Sequence, residues 1–350
     1  MNDARIVKLI PETIAAFGLD LSGLTVLTEA ASDAYVVTPI IAALAGAHRV
    51  IALTGESRYA SVDAVIAETE RLAFMFGSVG AVEIHTQRSP DLFARADVIT
   101  NLGFLRPIDA KAVDAMQPTA VVPLMYEAWE FRPGDVDLNA CSRKGILVLG
   151  TDEHHPAVNV FSYSGWLALK LFLEAGIEVH KNRILMVSRD KFGVAIEKML
   201  AQAGADVLLV RSLSDIARDD LAAVDAILIC DYTREDCIIG SYGDITPRDL
   251  AAAAPAVSVV QFAGLIDVAG LQANGIIVYP GDPVPPHRMA RTLAALGPRP
   301  VIDLHTAGLK VGEVAARIRK SVADPVKALA AVRQGCPFAQ TVQQENGSEG

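Results

Sequence analysis

The sequence has no basic excess, no long apolar run and few cysteines. Its 350 residues carry 31 Lys plus Arg against 41 Asp plus Glu, a net charge of −10. The basic residues are dispersed, usually beside acids as in SRDK and IRK. That composition argues against nucleic acid or an anionic membrane surface as a partner. No apolar stretch approaches the roughly 18–20 residues of a membrane span. The opening MNDARIVKLIPETIAAFG mixes charges and a proline into its apolar residues and does not read as a signal peptide. Cys141, Cys230, Cys237 and Cys336 are scattered, without CxxC or Cys/His zinc spacing. They read as reduced thiols of a cytoplasmic protein. With 51% hydrophobic and 21% charged residues, the chain can bury a sizeable core and is not disordered. Its length favours two domains over one.

What is present is alternation. Short β-branched runs at 24–29, 49–54, 82–86, 97–102, 120–125 and 146–150 alternate with Ala/Leu-rich stretches such as 35–46 and 61–77. A second series follows at 183–188, 205–210, 226–230, 257–262, 275–279 and 301–305, with helices expected near 192–203, 247–253, 287–296 and 311–322. Such alternation predicts βαβ units and parallel sheets. The expected fold class is therefore α/β, with two Rossmann-like parallel-sheet domains and a cleft between them. Linker composition at 176–182 and 297–300 sets the boundaries. Residues 1–178 plus 298–335 form a discontinuous outer, substrate-binding domain, and 179–297 an inserted dinucleotide-binding-like domain. Residues 336–350, polar and aperiodic, read as a flexible tail.

The segment RILMVSRDKFGVAIEKMLAQAGADVLLVRS has the layout of a dinucleotide-binding βαβ unit. The three glycine places of GxGxxG are Ser188, Asp190 and Gly193, so only the third glycine survives, beside Phe192 at the helix start. Asp190 adds bulk and negative charge where a pyrophosphate would approach. After the second strand, Arg211 and Ser212 replace the usual ribose-binding acid, a pair that suits a 2′-phosphate and hence NADP.

IIVYPGDPVPPHRM and the later VIDLHTAGLKVGEVAARI carry a resemblance. The second stretch resembles the histidine motif of the D-2-hydroxyacid dehydrogenases (the formate/glycerate dehydrogenase superfamily) in Leu304, His305, Thr306, Ala307, Gly308, Glu313 and Ala315. The likeness spans roughly residues 140–320. It implies His305 as the catalytic acid/base, Asp282 as the carboxylate orienting it, and Gly264 of the AGLID stretch at the cofactor. The sequence departs from the family at Phe262, where the substrate-binding arginine would stand, and at Leu304, where proline would. Adenosylhomocysteine hydrolases and alanine dehydrogenases share the general plan.

Loops after first-half strands supply further candidates, because ligands of open α/β sheets bind beyond the strand carboxyl ends. Asn101, Tyr126, Glu127, Trp129, Thr151, His154 and His155 are the expected substrate residues. The cluster Asp152, Glu153, His154 and His155 could ligate a metal or act as acid and base, although neighbouring side chains of an extended chain point opposite ways; no resident metal is assigned. The first βαβ lacks a glycine-rich loop and has Glu29, Ser32 and Asp33 there, which favours a small-molecule loop over a phosphate cradle. The leading expectation is NADP-linked hydride transfer on a small polar hydroxy or keto acid by a homodimer. The alternatives are a lyase, hydrolase or transferase on the same fold, and a ligand-binding protein that has lost catalysis.

Overall fold

The computed structural model describes residues 3–342. It divides into two units, Met1–Val160 with Gly297–Gly350, and Phe161–Leu296. The strands are β1 (Thr25–Glu29), β2 (Arg49–Leu53), β3 (Val82–His85), β4 (Val98–Ile99), β5 (Val121–Pro123), β6 (Leu147–Thr151), β7 (Arg183–Val187), β8 (Asp206–Val210), β9 (Ala226–Cys230), β10 (Cys237–Ile239), β11 (Ser258–Ala263), β12 (Leu265–Ile266), β13 (Ile277–Tyr279) and β14 (Ala339–Thr341).

In the first unit the sheet order is β14-β6-β5-β4-β1-β2-β3, with every pairing parallel except the antiparallel β14 on β6. The chain winds from β1 toward β3, then resumes at β4 on the other side of β1. This makes β1/β4 the topological switch point, where ligands of such sheets collect. Leu27, Ile51, Ile99 and Val122 bury one face of the sheet. The helix Pro298–Ser321 packs against β4, β5 and β6. Gly308 and Gly312, one turn apart, allow that approach: a Cβ on Gly308 would collide with Met125 Sδ, and one on Gly312 would lie 2.7 Å from Val98 Cγ1.

This helix corrects the strand expected at 301–305. Pro298 at its first turn needs no amide partner there, and burial continues through Val301, Ile302, His305, Thr306 and Leu309 at helical spacing. The β-branched run alone had suggested a strand. The flexible tail is also corrected for its described part. Cys336 and Phe338 are buried, the Phe338 ring meets Phe17 edge-on at 5.8 Å, and 339–341 form β14. The remainder, 343–350, lies outside the described residues.

The second unit has a five-stranded parallel sheet, β13-β11-β9-β7-β8, and a small parallel pair, β10 with β12. Its winding reverses between β7 and β9. The helix Tyr163–Glu174, which the sequence assigned to the outer domain, packs here on the helix Lys191–Gln202. Gly165 permits the contact, since a Cβ there would lie 2.6 Å from Met199 Cβ. The helix expected at 287–296 is a single 3₁₀ turn, Leu293–Leu296. No helix among the described residues is long and apolar enough to cross a membrane.

Candidate functional site

Polar side chains gather at the carboxyl ends of β1, β4, β5 and β6 in the first unit. The parallel register Val26↔Val98 and Leu27↔Ile99 continues so that Glu29 stands opposite Asn101, with Thr100 and Thr28 joined by a 3.0 Å hydroxyl hydrogen bond between them. Glu29 and Asn101 share the face of Leu27 and Ile99 because strand side chains alternate. Asn101 is 2% exposed. Its Oδ1 accepts the Met125 N–H at 2.8 Å, which fixes the amide orientation and leaves buried Nδ2 without a hydrogen-bond partner. A buried amide donor left unmade is costly, on the order of 1–3 kcal/mol, and the side chain lies near enough to the Tyr126 hydroxyl to oppose the rise of its pKa.

Glu29 is 6% exposed. Its Oε2 accepts the Phe104 N–H at 3.1 Å, and Gly103 leaves room for the carboxyl, since a Cβ there would lie 3.0 Å from Oε2. Burial pushes the Glu29 carboxyl above its ordinary range, against the opposing pull of the Phe104 N–H and the Arg106 guanidinium. Tyr126 closes the same region. Its hydroxyl donates to Asp135 Oδ2 at 3.1 Å, where Arg106 Nη1 also arrives at 2.8 Å, and the Arg132 guanidinium lies 5.0 Å from its ring centre. Burial and the Asp135 charge raise the Tyr126 phenol well above its usual range, with Arg132 and the nearby Asn101 side chain opposing.

A second cluster follows β5 and β6. Glu127 is fully buried, and its Oε1 accepts the N–H of Glu153 at 3.0 Å, the N–H of His154 at 3.3 Å and a contact to His154 Nδ1 at 2.6 Å. Trp129 Nε1 donates to Oε2, and Glu130 closes a capping box on the Glu127 N–H. Glu153 is 6% exposed; burial first, then the Glu130, Glu127 and Asp152 charges, raise its carboxyl well above the ordinary value. β14 secures this corner, with Gln340 Oε1 accepting the Ala128 N–H at 2.8 Å and the Phe338 carbonyl accepting the Asp152 N–H at 2.8 Å. Gly150 is held as tightly: a Cβ would sit 2.6 Å from the Ala128 nitrogen. Gly150→Ala is therefore expected to cost about 1–3 kcal/mol, read as a lower denaturation midpoint at unchanged slope.

Not every expected substrate residue joins these clusters. His155 turns to Phe338, with ring centres 5.7 Å apart, and its Nδ1 accepts the Ala157 N–H. Thr151 is fully buried and donates to the Leu124 carbonyl at 2.9 Å.

The dinucleotide-like segment also has a definite geometry. Ser188 ends β7, and a Cβ on Gly193 would lie 2.6 Å from it, so the third glycine keeps its packing role. Asp190 caps the following helix. Its Oδ1 accepts the Phe192 N–H at 2.9 Å and its Oδ2 the Tyr232 N–H at 2.6 Å, joining the helix start to the end of β9 across the switch point. Burial raises its pKa to about 6. Phe192 stacks on Phe161 at 5.0 Å and packs against Tyr232 and Phe262. Ser212 donates to Asp244 Oδ2 at 2.6 Å, while Arg211 is exposed. Gly264, at φ +104, makes a turn that a side chain would strain.

The expected pair His305 and Asp282 is divided between the two units, and each residue has a neighbour within its own. His305 lies in the middle of the Pro298–Ser321 helix, 3% exposed, with Nδ1 2.6 Å from Thr38 Oγ1. Burial lowers its pKa to about 3. Asp282 is on the surface, 3.8 Å from Arg291.

Comparison with solved structures places this architecture. A dipicolinate synthase chain from Bacillus halodurans superposes with TM-score 0.51 at 13% identity, over 85% of this chain and 99% of that one. The corresponding dipicolinate synthase chain from Bacillus subtilis gives 0.50 at 13%, over 91% and 99%. An NAD⁺-bound 3-phosphoglycerate dehydrogenase from Entamoeba histolytica gives 0.43 at 10%, over 82% and 93%. The fold is shared with the two dipicolinate synthase chains. No family model and no curated protein matches the chain. The sequence resemblance implies a nicotinamide dinucleotide in the second unit, and the residues here do not fit one in the usual way. Asp190 takes the Phe192 and Tyr232 N–H groups and sets a carboxylate at the motif's second glycine place, where its charge would repel a pyrophosphate, and Phe262, at the place the resemblance gives to an arginine, is fully buried against Phe192.

Sequence reasoning placed Glu153 in a metal-ligating or acid/base cluster, but named Glu29 only as an occupant of the first loop and gave it no role of its own. The signal for Glu29 was available: an acid ends β1 where the glycine-rich loop of a phosphate-binding βαβ unit is missing.

Proposed function

We propose that the chain is a non-redox enzyme on the D-2-hydroxyacid dehydrogenase fold, moving a proton on a small carbonyl- or hydroxyl-bearing molecule at the β1/β4 switch point. The observation that carries this reading is the register pair of Glu29, a buried carboxyl held toward its protonated form, and Asn101, whose buried Nδ2 lacks a partner. Asn101 Nδ2 donates to the substrate oxygen and polarises it. Glu29 gives or takes the proton, its raised pKa bringing it closer to the working pH. Tyr126, fixed by Asp135, and the Arg106 guanidinium border the site. The class is that of an isomerase or lyase acting next to a carbonyl.

The test is a thermal-shift screen of defined small hydroxy and oxo compounds. Compounds that stabilise the wild type should lose at least tenfold in affinity for Asn101→Ala, which removes the donor, with circular dichroism checking that the variant is folded. Equal affinity for the two proteins would move the site elsewhere.

NADP-linked hydride transfer with His305 as acid/base remains the second reading, favoured by the fold and by exposed Arg211 at the end of β8. The two readings separate at Asp190. Calorimetry should show no binding of NADPH or NADH to the wild type, and measurable binding to Asp190→Gly, which frees the Phe192 and Tyr232 N–H groups. If the wild type binds NADPH more tightly than NADH, the second reading replaces the first.

A further inference from the structure

We propose that Asp135 is a positioning residue for Glu29: it holds the Arg106 guanidinium off the Glu29 carboxyl and so sets whether that acid keeps its proton. The inference rests on the reading of Glu29 given above. Arg106 follows the 3₁₀ turn Gly103–Leu105, whose Phe104 N–H binds Glu29 Oε2 at 3.1 Å. Acid and guanidinium therefore flank one point of that turn. A Cβ on Gly103 would lie 3.0 Å from Glu29 Oε2 and 3.9 Å from Arg106 Nη2. Opposite charges so placed would be expected to pair. Among the described residues no ion pair joins them, and Arg106 instead gives Nη1 to Asp135 Oδ2 at 2.8 Å.

The hold is built into the backbone. A parallel bridge joins Ile108 to Val136. The Ile108 N–H donates to the Asp135 carbonyl at 2.9 Å, and the Asp137 N–H donates to the Ile108 carbonyl at 2.9 Å. This fixes Asp135 beside the segment that carries Arg106. The same Asp135 oxygen accepts the Tyr126 hydroxyl at 3.1 Å and lies 3.5 Å from Arg132 Nη1, so the carboxylate has anchors besides Arg106. The Arg106 and Asp135 side chains are 23% and 12% exposed, which leaves little water to screen the pair. Around Glu29 the other groups are neutral: Leu53 on β2, Asn101 beyond β4, and the N–H groups of Gly103 and Phe104. Arg106 is the charged group that acts on it. A guanidinium released from Asp135 turns to the nearest carboxylate, and an opposite charge within about 4–6 Å favours the ionised acid.

The test is carbon-13 NMR titration of Glu29 in the full-length wild type and two variants, with Glu29→Gln assigning the signal and circular dichroism checking the fold. Asp135→Asn keeps an oxygen for Tyr126 and removes the charge. Its Glu29 midpoint should fall by about one pH unit or more. Adding Arg106→Gln to Asp135→Asn should return the midpoint to the wild-type value or above. A midpoint unmoved by Asp135→Asn, or lowered equally with and without Arg106, overturns the proposal. If Asp135→Asn fails to fold, Arg106→Gln alone decides: the midpoint should rise, and an unchanged or lower one overturns the proposal. The readout is a difference between proteins and needs no substrate. Failure of the Glu29 reading shows instead in the wild-type midpoint and in the turnover of Glu29→Gln, so the two failures are distinguishable.

Discussion

Glu29→Gln is expected to lower turnover by about 10²–10⁴-fold, the usual contribution of a positioned proton-transfer group, while raising thermal stability at pH 8. The two effects have one cause. The folded-state pKa of Glu29 lies above its unfolded value because burial disfavours the charged carboxylate. Its contribution to stability is complete below the unfolded pKa and is lost as pH rises through the folded one. Glutamine keeps the shape and never ionises, so it removes that penalty and also removes the proton. A purely structural Glu29 would give the stability change without the loss in turnover. Rates and melting curves on one preparation, each at pH 5 and pH 8, separate the two, and the stability gain should be smaller at pH 5.

The second large effect concerns acid stability and His305. Its pKa falls from 6.5 to about 3 on folding because the ring is buried against Thr38. Here the base is held neutral, so its stabilising share is present above pH 6.5 and is lost as pH falls toward 3. At about 1.4 kcal/mol per pH unit, the loss reaches up to about 5 kcal/mol. The double variant His305→Leu with Thr38→Val removes donor and acceptor together, which avoids leaving one of them unpaired. Its unfolding free energy should decline less than that of the wild type between pH 6.5 and pH 4, measured by urea denaturation. Parallel slopes would show that His305 is not held neutral. Turnover at neutral pH should survive this double change, whereas a catalytic His305 would abolish it.

The sheets were legible because strand runs in parallel α/β units are short, β-branched and regularly interrupted by helices; the runs at 183–188, 226–230 and 49–54 need only their neighbours to be placed. The run at 301–305 was misread because its local composition is that of a strand, while its helical character rests on a longer pattern. Gly308 and Gly312 at one-turn spacing, followed by Ala315 and Ala316, mark a helix lying close on a sheet, but only the sheet beneath explains them. β14 was missed because its three residues are polar and owe their place to pairing with β6 and to Phe338.

The site was legible in part for the same reason. Asn101, Tyr126, Glu127 and His154 follow strand ends, and strand ends can be found from sequence. Which of those residues meet depends on the β4-β1 and β5-β6 adjacencies, which no local pattern contains. The charge conflict at Asp190 was visible as a departure from a glycine motif. That its carboxylate bridges two backbone N–H groups across β7 and β9 is a tertiary fact.

The central claim is that Glu29 holds its proton above the ordinary carboxylate range at the β1/β4 switch point. Carbon-13 NMR titration of glutamate-labelled protein, with Glu29→Gln to assign the resonance, measures this directly. The account predicts that the signal lost in Glu29→Gln titrates above the usual 4.5. A Glu29 carboxyl titrating at or below that value would contradict it.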